Sequence, residues 1–548
     1  MMKKKIVLVV VILLSLLVIG VVVIQKVDQQ KGGKLFKVFN GFESSKTIEE
    51  NKSYGVSSSN KLAVEVGMEV LEAGGNAVDA AVAVSYALGV VEPYGSGIGG
   101  GGGMLIVPKN KEDATFFDYR ETSPQSSQAN ESTIGMPGFV RGMETVHEKF
   151  GSMQLADLLA PSVKLAEEGF IVDNTLVKRL SKAQFRLPIE KLATFFPEGK
   201  VLEAGTNLKQ QELATTLKNL QRNGAEVFYE SFIENQIVKN VSGIQQEDIR
   251  NYEVVERKPV YGKFLDYNVV SAPPPFSGTT LIQSLMMAEL MNIEAPTNNS
   301  ADYIHKIGQI TNRTYMDRLK YNGDPKFYKF NNQKMLEPSY IEQMLKDMSN
   351  DDYSKSNDFS EAFQDEEHVS TTHFVVTDKD GTVVSVTNTL SNFFGSGNYV
   401  NGFFLNNSLS NFSTYKKSIN YHEPGKKSRT FTAPTVLWNE EKTIGIGSPG
   451  GRRIPLMITE VLLRHLMFNE SLQDSINQPR FFVEDNMVYT EKELSYDEIK
   501  ELYKHNYEVT LKNSPEFFGG VQALVIDYKN HEIYGAADAR RSGTWKVQ

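Results

Sequence analysis

The chain contains no cysteine and only two tryptophans in 548 residues. Without cysteine there is no disulfide, no thiol nucleophile, no Cys-ligated metal and no lipid-modified cysteine anchor. A basic excess is also missing. Lys and Arg number 58 against 67 Asp and Glu, for a net charge of −9, which argues against a nucleic-acid partner. The same charge opposes a polyanionic substrate, so arginines placed locally would have to overcome the general field. His, Asp and Glu show no zinc-type spacing, and no metal is expected. The glycine-rich run Gly97–Gly103 lacks the Gly-Lys-Ser/Thr ending of a phosphate loop, so no nucleotide cofactor is expected either. There is no internal repeat and no long low-complexity tract.

What remains is the composition of a folded protein, 40% apolar and 23% charged, long enough to bury a large core. Lys3-Lys4-Lys5 precedes an uncharged apolar run, Ile6 to Ile24. At about 1.5 Å per residue that run spans roughly the 30 Å hydrocarbon core. Residues 1–27 therefore read as a cytoplasmic stub and single membrane anchor, 28–52 as a polar tether, and the rest as lying outside the cell. The alternative is a removed signal peptide and a secreted product. Its small-x-small cleavage site is not evident, since Gln25-Lys26-Val27-Asp28 follows.

Leu62, Val66 and Val70 recur at helical spacing and predict a helix ending at Gly74-Gly75. Asn76 can cap a second helix, Ala77–Val91, apolar nearly all round and so buried. Helical patterns continue at Gln211–Asn223 and Thr280–Met291, and beyond residue 371 the reading shifts toward strands. A polar run, Ser354–Glu367, leads into Ser370-Thr371-Thr372-His373-Phe374. There His373–Val376, Asp380-Gly381 and Val383–Val386 predict a β-hairpin. If the chain were cut before Thr371, that residue would carry a hydroxyl nucleophile and an α-amino base together. Taken alone, Thr371-Thr372 reads first as simply the start of a strand. Gly450-Gly451, after Ser448-Pro449, is by itself a tight turn or a backbone donor pair.

The combination of motifs decides between these readings. Thr371-Thr372-His373-Phe374, Thr387-Asn388-Thr389-Leu390, Phe394-Gly395-Ser396-Gly397 and Gly447-Ser448-Pro449-Gly450-Gly451 resemble the γ-glutamyltransferase family of N-terminal-nucleophile hydrolases. So do Gly74–Ala81, Gly97–Met104, Asp118-Tyr119-Arg120-Glu121, Pro273–Gly278 and Gly323-Asp324-Pro325. Within the family, Ala272–Gly278, Asn388–Gly395 and Ser428–Phe431 with Ala433-Pro434-Thr435 are most similar to capsule poly-γ-glutamate depolymerase and anchoring enzymes. The resemblance implies an α+β fold, a four-layer αββα sandwich. It implies self-cleavage between Ser370 and Thr371 into a large fragment, 53–370, and a small catalytic one, 371–548, which stay together as a heterodimer. Thr371 would be the nucleophile, steadied by Thr389, and Gly450 and Gly451 would form the oxyanion hole. Arg120 would bind the substrate α-carboxylate; read without the family it is half of a surface Arg120–Glu121 pair. Arg429, Arg452, Arg453, Arg540 and Arg541 are either further substrate contacts or solvated charges. His373 is left structural, and the glycine run is taken as a packing device.

The chain departs from glutathione-using relatives where they hold a free α-amino group. It has Ser408 and Asn411 where they have Gln and Asp, Ser391 where they have Asn, and Thr430-Phe431 in place of paired serines. An ammonium loses its charged partner, whereas an internal γ-glutamyl unit carries an amide there and needs none. The expected substrate is therefore poly-γ-glutamate, with water or a cell-wall amine as acceptor. The alternatives are an ordinary transferase of glutathione or small γ-glutamyl peptides, and a non-catalytic capsule-binding protein.

Overall fold

The computed structural model describes residues 54–126, 132–296, 300–350 and 370–548. The apolar run 6–24, the tether and the polar run before Ser370 lie outside them. Among the described residues no helix is long and apolar enough to cross a membrane.

Two antiparallel sheets form the centre. The first has seven strands in the order Thr544–Val547, Gly55–Ser58, Thr372–Thr377, Val383–Thr389, Gly101–Val107, Thr115–Asp118 and Val255–Arg257. The second has six, in the order Glu532–Ala537, Gln522–Asp527, Lys442–Gly447, Thr435–Trp438, Tyr267–Ser271 and Val260–Phe264. Side chains alternate across each strand, and the core divides accordingly. Val375, Leu105, Val107 and Phe116 of the first sheet meet Val270, Val436 and Leu524 of the second in one buried cluster. Phe374, Val376, Val384 and Val386 point the other way, into a cluster shared with helices Lys61–Glu72, Ala77–Val91 and Phe139–Phe150. Leu437, Ile444 and Val525 do the same on the far side, against Gly278–Leu290, Ser300–Tyr321 and Ile454–Leu462. The layers are helix, sheet, sheet, helix. Strands buried on both faces read as continuous apolar runs, which is why Phe374-Val375-Val376 carries no polar alternation.

The helices begin and end for local reasons. Asn60 accepts from Leu62 N–H and caps Lys61–Glu72. Asn76 and Asp79 form a reciprocal capping box at the start of Ala77–Val91, a helix buried along nearly its whole length. The expected hairpin is present, with Gly381 at φ +81° in its turn. Twelve of the twenty described strands follow residue 371, as the shift in pattern predicts, but Gly55–Ser58, Gly101–Val107 and Tyr267–Ser271 before it are as central as any. Gly55–Ser58 has only four residues and Gly101–Val107 opens on three glycines, so their period-2 signal is weak. Segments from the two sides of Ser370 are interleaved. Thr372–Thr377 is hydrogen-bonded to Gly55–Ser58, and Val383–Thr389 to Gly101–Val107.

Candidate active site

Thr371 stands at the mouth of the hairpin, 7% exposed. The strand that carries Thr389 runs beside it and is held by the glycine run, where Thr389 pairs with Gly101 and Thr387 with Gly103. A Cβ on Gly99, Gly100, Gly101 or Gly102 would collide with the backbone carbonyl of Phe404, Thr389, Tyr119 or Thr387 respectively. The run is thus a close-packing device that fixes the Thr389 strand.

Three oxygens meet at this point. Thr371 Oγ1 lies 3.1 Å from Thr389 Oγ1 and also hydrogen-bonds the Ser370 carbonyl. Thr389 Oγ1 donates to the same carbonyl at 3.0 Å. The Ser391 N–H donates to Thr389 Oγ1 at 2.9 Å. That bond occupies a lone pair of Thr389 and directs its single proton toward Ser370 O. Ser391, at φ +78°, makes the sharp turn that permits it. His373 faces elsewhere. Its Nδ1 pairs with Thr387 Oγ1 at 2.9 Å, and burial pushes its pKa down to about 3, so the ring is neutral.

The second sheet brings Gly447, three residues before Gly450, onto the His373 ring: a Cβ there would lie within 2.6 Å of three ring atoms. The chain then turns through Gly450 at φ +138° and Gly451 at φ +58°. A side chain at Gly450 would also press on the Gly519 Cα at 3.2 Å. Among the described residues neither glycine N–H donates to another group of the chain. Two successive donors are thereby available to an anion.

Arg120 joins the site through a continuous polar chain. Its Nη2 donates to Ser428 Oγ at 3.1 Å, and Ser428 donates to Ser408 O at 3.0 Å. Asn411 Nδ2 donates to Ser408 O at 2.9 Å and to Ser391 Oγ at 3.0 Å. Ser391 then leads to Thr389 and Thr371. Three of the positions that depart from glutathione-using relatives, Ser391, Ser408 and Asn411, thus sit side by side between Arg120 and Thr371. Arg120 is held from behind. Its N–H donates to Asp118 Oδ1 at 3.0 Å, and its carbonyl accepts from Tyr252 at 2.8 Å. Burial opposes ionisation of Asp118, but Lys427 and Arg257 together outweigh it and hold the carboxyl below its ordinary value. The Arg120–Glu121 pair is present at 3.7 Å but is buried, not at the surface.

The other arginines separate into two groups. Arg540 gives all five N–H donors to protein: two to the Glu491 carboxylate at 2.6 Å, one to Asp538, and two to the carbonyls of Ile476 and Gln478. Contrary to expectation it has no donor left for a substrate. Arg429 is 1% exposed; its backbone N–H donates to Asn420 Oδ1 at 2.8 Å and its Nη1 to Leu319 O at 3.2 Å, while Nε and Nη2 have no hydrogen-bond partner among the described residues. Arg452 is ion-paired with Glu484. Arg453 lies over the Phe517 ring at 4.0 Å, and the Arg541 side chain covers Gly520, beside the Ser448–Gly451 turn. Phe431 stacks on Arg318 at 3.4 Å. Ser428 as the link to Arg120 is not legible in the sequence beyond its place in Ser428–Phe431. Glu121 stands in the Asp118–Glu121 motif, but nothing there signals that its two buried carboxylate oxygens lack a hydrogen bond among the described residues.

The profile of the Gamma-glutamyltranspeptidase family matches residues 63–547. The chain is 50% identical over 494 residues to the capsule biosynthesis protein CapD proenzyme of Bacillus anthracis, covering 90% of each. It is 30% identical over 545 residues to the glutathione hydrolase proenzyme of Bacillus subtilis strain 168, covering 92% of each. In fold it is similar to the crystal structure of cephalosporin acylase from Bacillus halodurans, with a TM-score of 0.80, 23% identity and coverage of 90% of this chain and 96% of that one. With its profile matched over residues 63–547 and Thr371 in hydrogen-bond contact with Thr389, the chain belongs to the γ-glutamyltranspeptidase family.

Proposed function

We propose that the protein is a self-processing γ-glutamyl hydrolase and transpeptidase that acts on poly-γ-glutamate outside the cell, tethered by residues 1–27. The observation that carries the polymer reading is the neutral seam Ser391–Asn411–Ser408, in which both N–H donors of the Asn411 amide are already committed. A terminal glutamyl ammonium finds no carboxylate along that seam, whereas an interior unit presents an amide that needs none. The 50% identity to a capsule biosynthesis proenzyme supports the same reading.

In the intact chain, Thr371 Oγ1 would attack the Ser370 carbonyl carbon while the Thr389 hydroxyl stabilises the developing oxyanion. The C–N bond breaks, the acyl group passes to oxygen, and water releases Ser370 from the ester. The new α-amino group, with an ordinary pKa of about 7.7–8.0, is partly neutral near pH 8 and can take the Thr371 proton in turnover. Arg120 would hold the α-carboxylate of the unit being cut, and Arg453 and Arg541 further carboxylates. Thr371 then forms a γ-glutamyl ester, with the oxyanion on the Gly450 and Gly451 N–H groups. Water completes chain cleavage, and an amine completes attachment.

The test compares purified wild type and Thr371→Ala, both starting at residue 28. Wild type should split before Thr371 and shorten poly-γ-glutamate, and the variant should do neither. Release from γ-glutamyl-p-nitroanilide at rates matching polymer cleavage would instead favour the glutathione-type activity. Polymer shortening by unsplit wild type would overturn the mechanism.

A further inference from the structure

Arg179 lies on the helix Asn174–Ala183, which Asp173 caps. Its side chain is 4% exposed, yet among the described residues its guanidinium makes no hydrogen bond, and Nε has no partner at all. The nearest carboxylate is Glu516, 3.6 Å away, and Lys182 already holds that group at 2.7 Å. The guanidinium rests on the Phe393 ring at 4.3 Å, with Tyr94 at 6.0 Å. Two more buried guanidiniums reach the same segment. Arg541 donates to Glu516 O at 2.9 and 3.3 Å, and Arg453 covers Phe517. Burial, followed by the charges of Arg179 and Arg453, pushes the Arg541 pKa down to about 9. The acidic groups facing the cluster are Glu516, Asp173 and Glu92, and burial raises Glu92 to about 7.

A buried guanidinium without hydrogen bonds is costly unless an anion arrives to satisfy it. This one packs on the loop that leaves the Thr389 strand. Phe393 follows Thr389 by four residues, on a loop anchored by Leu390 N–H to Gly95 O and Phe394 N–H to Tyr94 O. Arg453 follows Gly451 by two residues. Arg179 therefore approaches along the Phe393 loop, whereas Arg120 connects to Thr371 through Ser391 and Asn411.

We propose that Arg179, with Arg453 and Arg541, forms a carboxylate subsite for a second glutamyl unit, adjacent to the unit whose γ-amide is cut. This rests on the polymer reading above and makes it specific. Each unit of a γ-linked polymer carries one α-carboxylate, and a planar guanidinium takes such a group bidentately. A single-unit donor has no carboxylate to place there.

The test measures kcat/KM for γ-glutamyl-p-nitroanilide and for oligo-γ-glutamates of two, three and four units, in wild type, Arg179→Ala and Arg179→Lys. The expected result is a gain with the second unit in wild type. In Arg179→Ala the loss on oligomers should exceed the loss on the anilide by about ten- to a hundredfold, the weight of one charge-assisted contact. Arg179→Lys should fall between, because it keeps the charge without the fork. Competition by unlabelled oligo-γ-glutamate against the anilide, measured on wild type, reads the same subsite without a variant and should tighten from one unit to two. If wild type gains from the second unit and Arg179→Ala gains as much, the Arg179 assignment falls and the polymer reading stands. If wild type gains nothing from added units, in turnover or competition, both fall.

Discussion

Gly447→Ala should disturb the active site from the opposite sheet. The added Cβ would lie within 2.6 Å of three atoms of the His373 ring. That ring cannot move aside easily. It is fully buried, its Nδ1 is bonded to Thr387, and its strand is paired on both sides. Overpacking of this kind costs about 1–3 kcal/mol, and loss of the Thr387 hydrogen bond adds about 1 kcal/mol. We expect a total of about 2–4 kcal/mol, together with slower cleavage before Thr371, two residues away. His373→Ala alone should also destabilise, by about 2–5 kcal/mol, through the cavity it leaves. The two changes together should cost less than their sum by about 1–3 kcal/mol, because the methyl added at position 447 occupies vacated space. Stability is best read as urea midpoints in the Thr371→Ala background, which keeps every chain in one piece, and cleavage as a gel time course with Thr371 present. Strict additivity, or Gly447→Ala as stable as its parent, would refute the close approach of the two sheets at this point.

Thr389→Ala removes the donor to Ser370 O and should slow self-cleavage about 10²–10³-fold, whereas Thr389→Ser should retain most of it; equal rates for the two variants on a gel time course would contradict the role of the hydroxyl. Asn411→Asp restores a carboxylate beside Ser391 and should shift kcat/KM about tenfold toward γ-glutamyl-p-nitroanilide relative to polymer; an unchanged ratio would count against the ammonium argument. His373 has a pKa depressed from 6.5 to about 3, so the unfolded chain binds the extra proton between those values. Its contribution is complete above pH 6.5 and is lost as pH falls toward 3, at about 1.4 kcal/mol per pH unit. His373→Gln should flatten the acid limb of the unfolding midpoint by that slope, and an unchanged limb would show that the ring titrates freely.

Local rules carried much of the fold. The caps at Asn76 and the Asp380-Gly381 turn act over a few residues, so their elements were legible. The Thr371 hairpin was legible for the same reason, but the early strands were not: Gly55–Ser58 has four residues, and its partners, Thr372–Thr377 and Thr544–Val547, lie far along the chain. In the site, Thr371, Thr389 and Arg120 were legible because each sits in a distinctive motif. The other arginines were not, because a sequence gives a cation but not its partner. Arg540 is saturated by Glu491, Asp538 and two carbonyls, contacts that only the fold assembles. Arg179 occupies an ordinary amphipathic helix, and nothing in its neighbours signals that its guanidinium is buried against Phe393.

The central claim is that Thr371 is cut free and then carries the γ-glutamyl group. Wild-type protein mixed with oligo-γ-glutamate, acid-quenched within the first turnover and digested, should yield by mass spectrometry a small-fragment peptide beginning at Thr371. That peptide should bear a glutamyl mass that hydroxylamine removes. An adduct on any other residue, or turnover of oligomer by a chain with no new N-terminus at Thr371, would contradict the account.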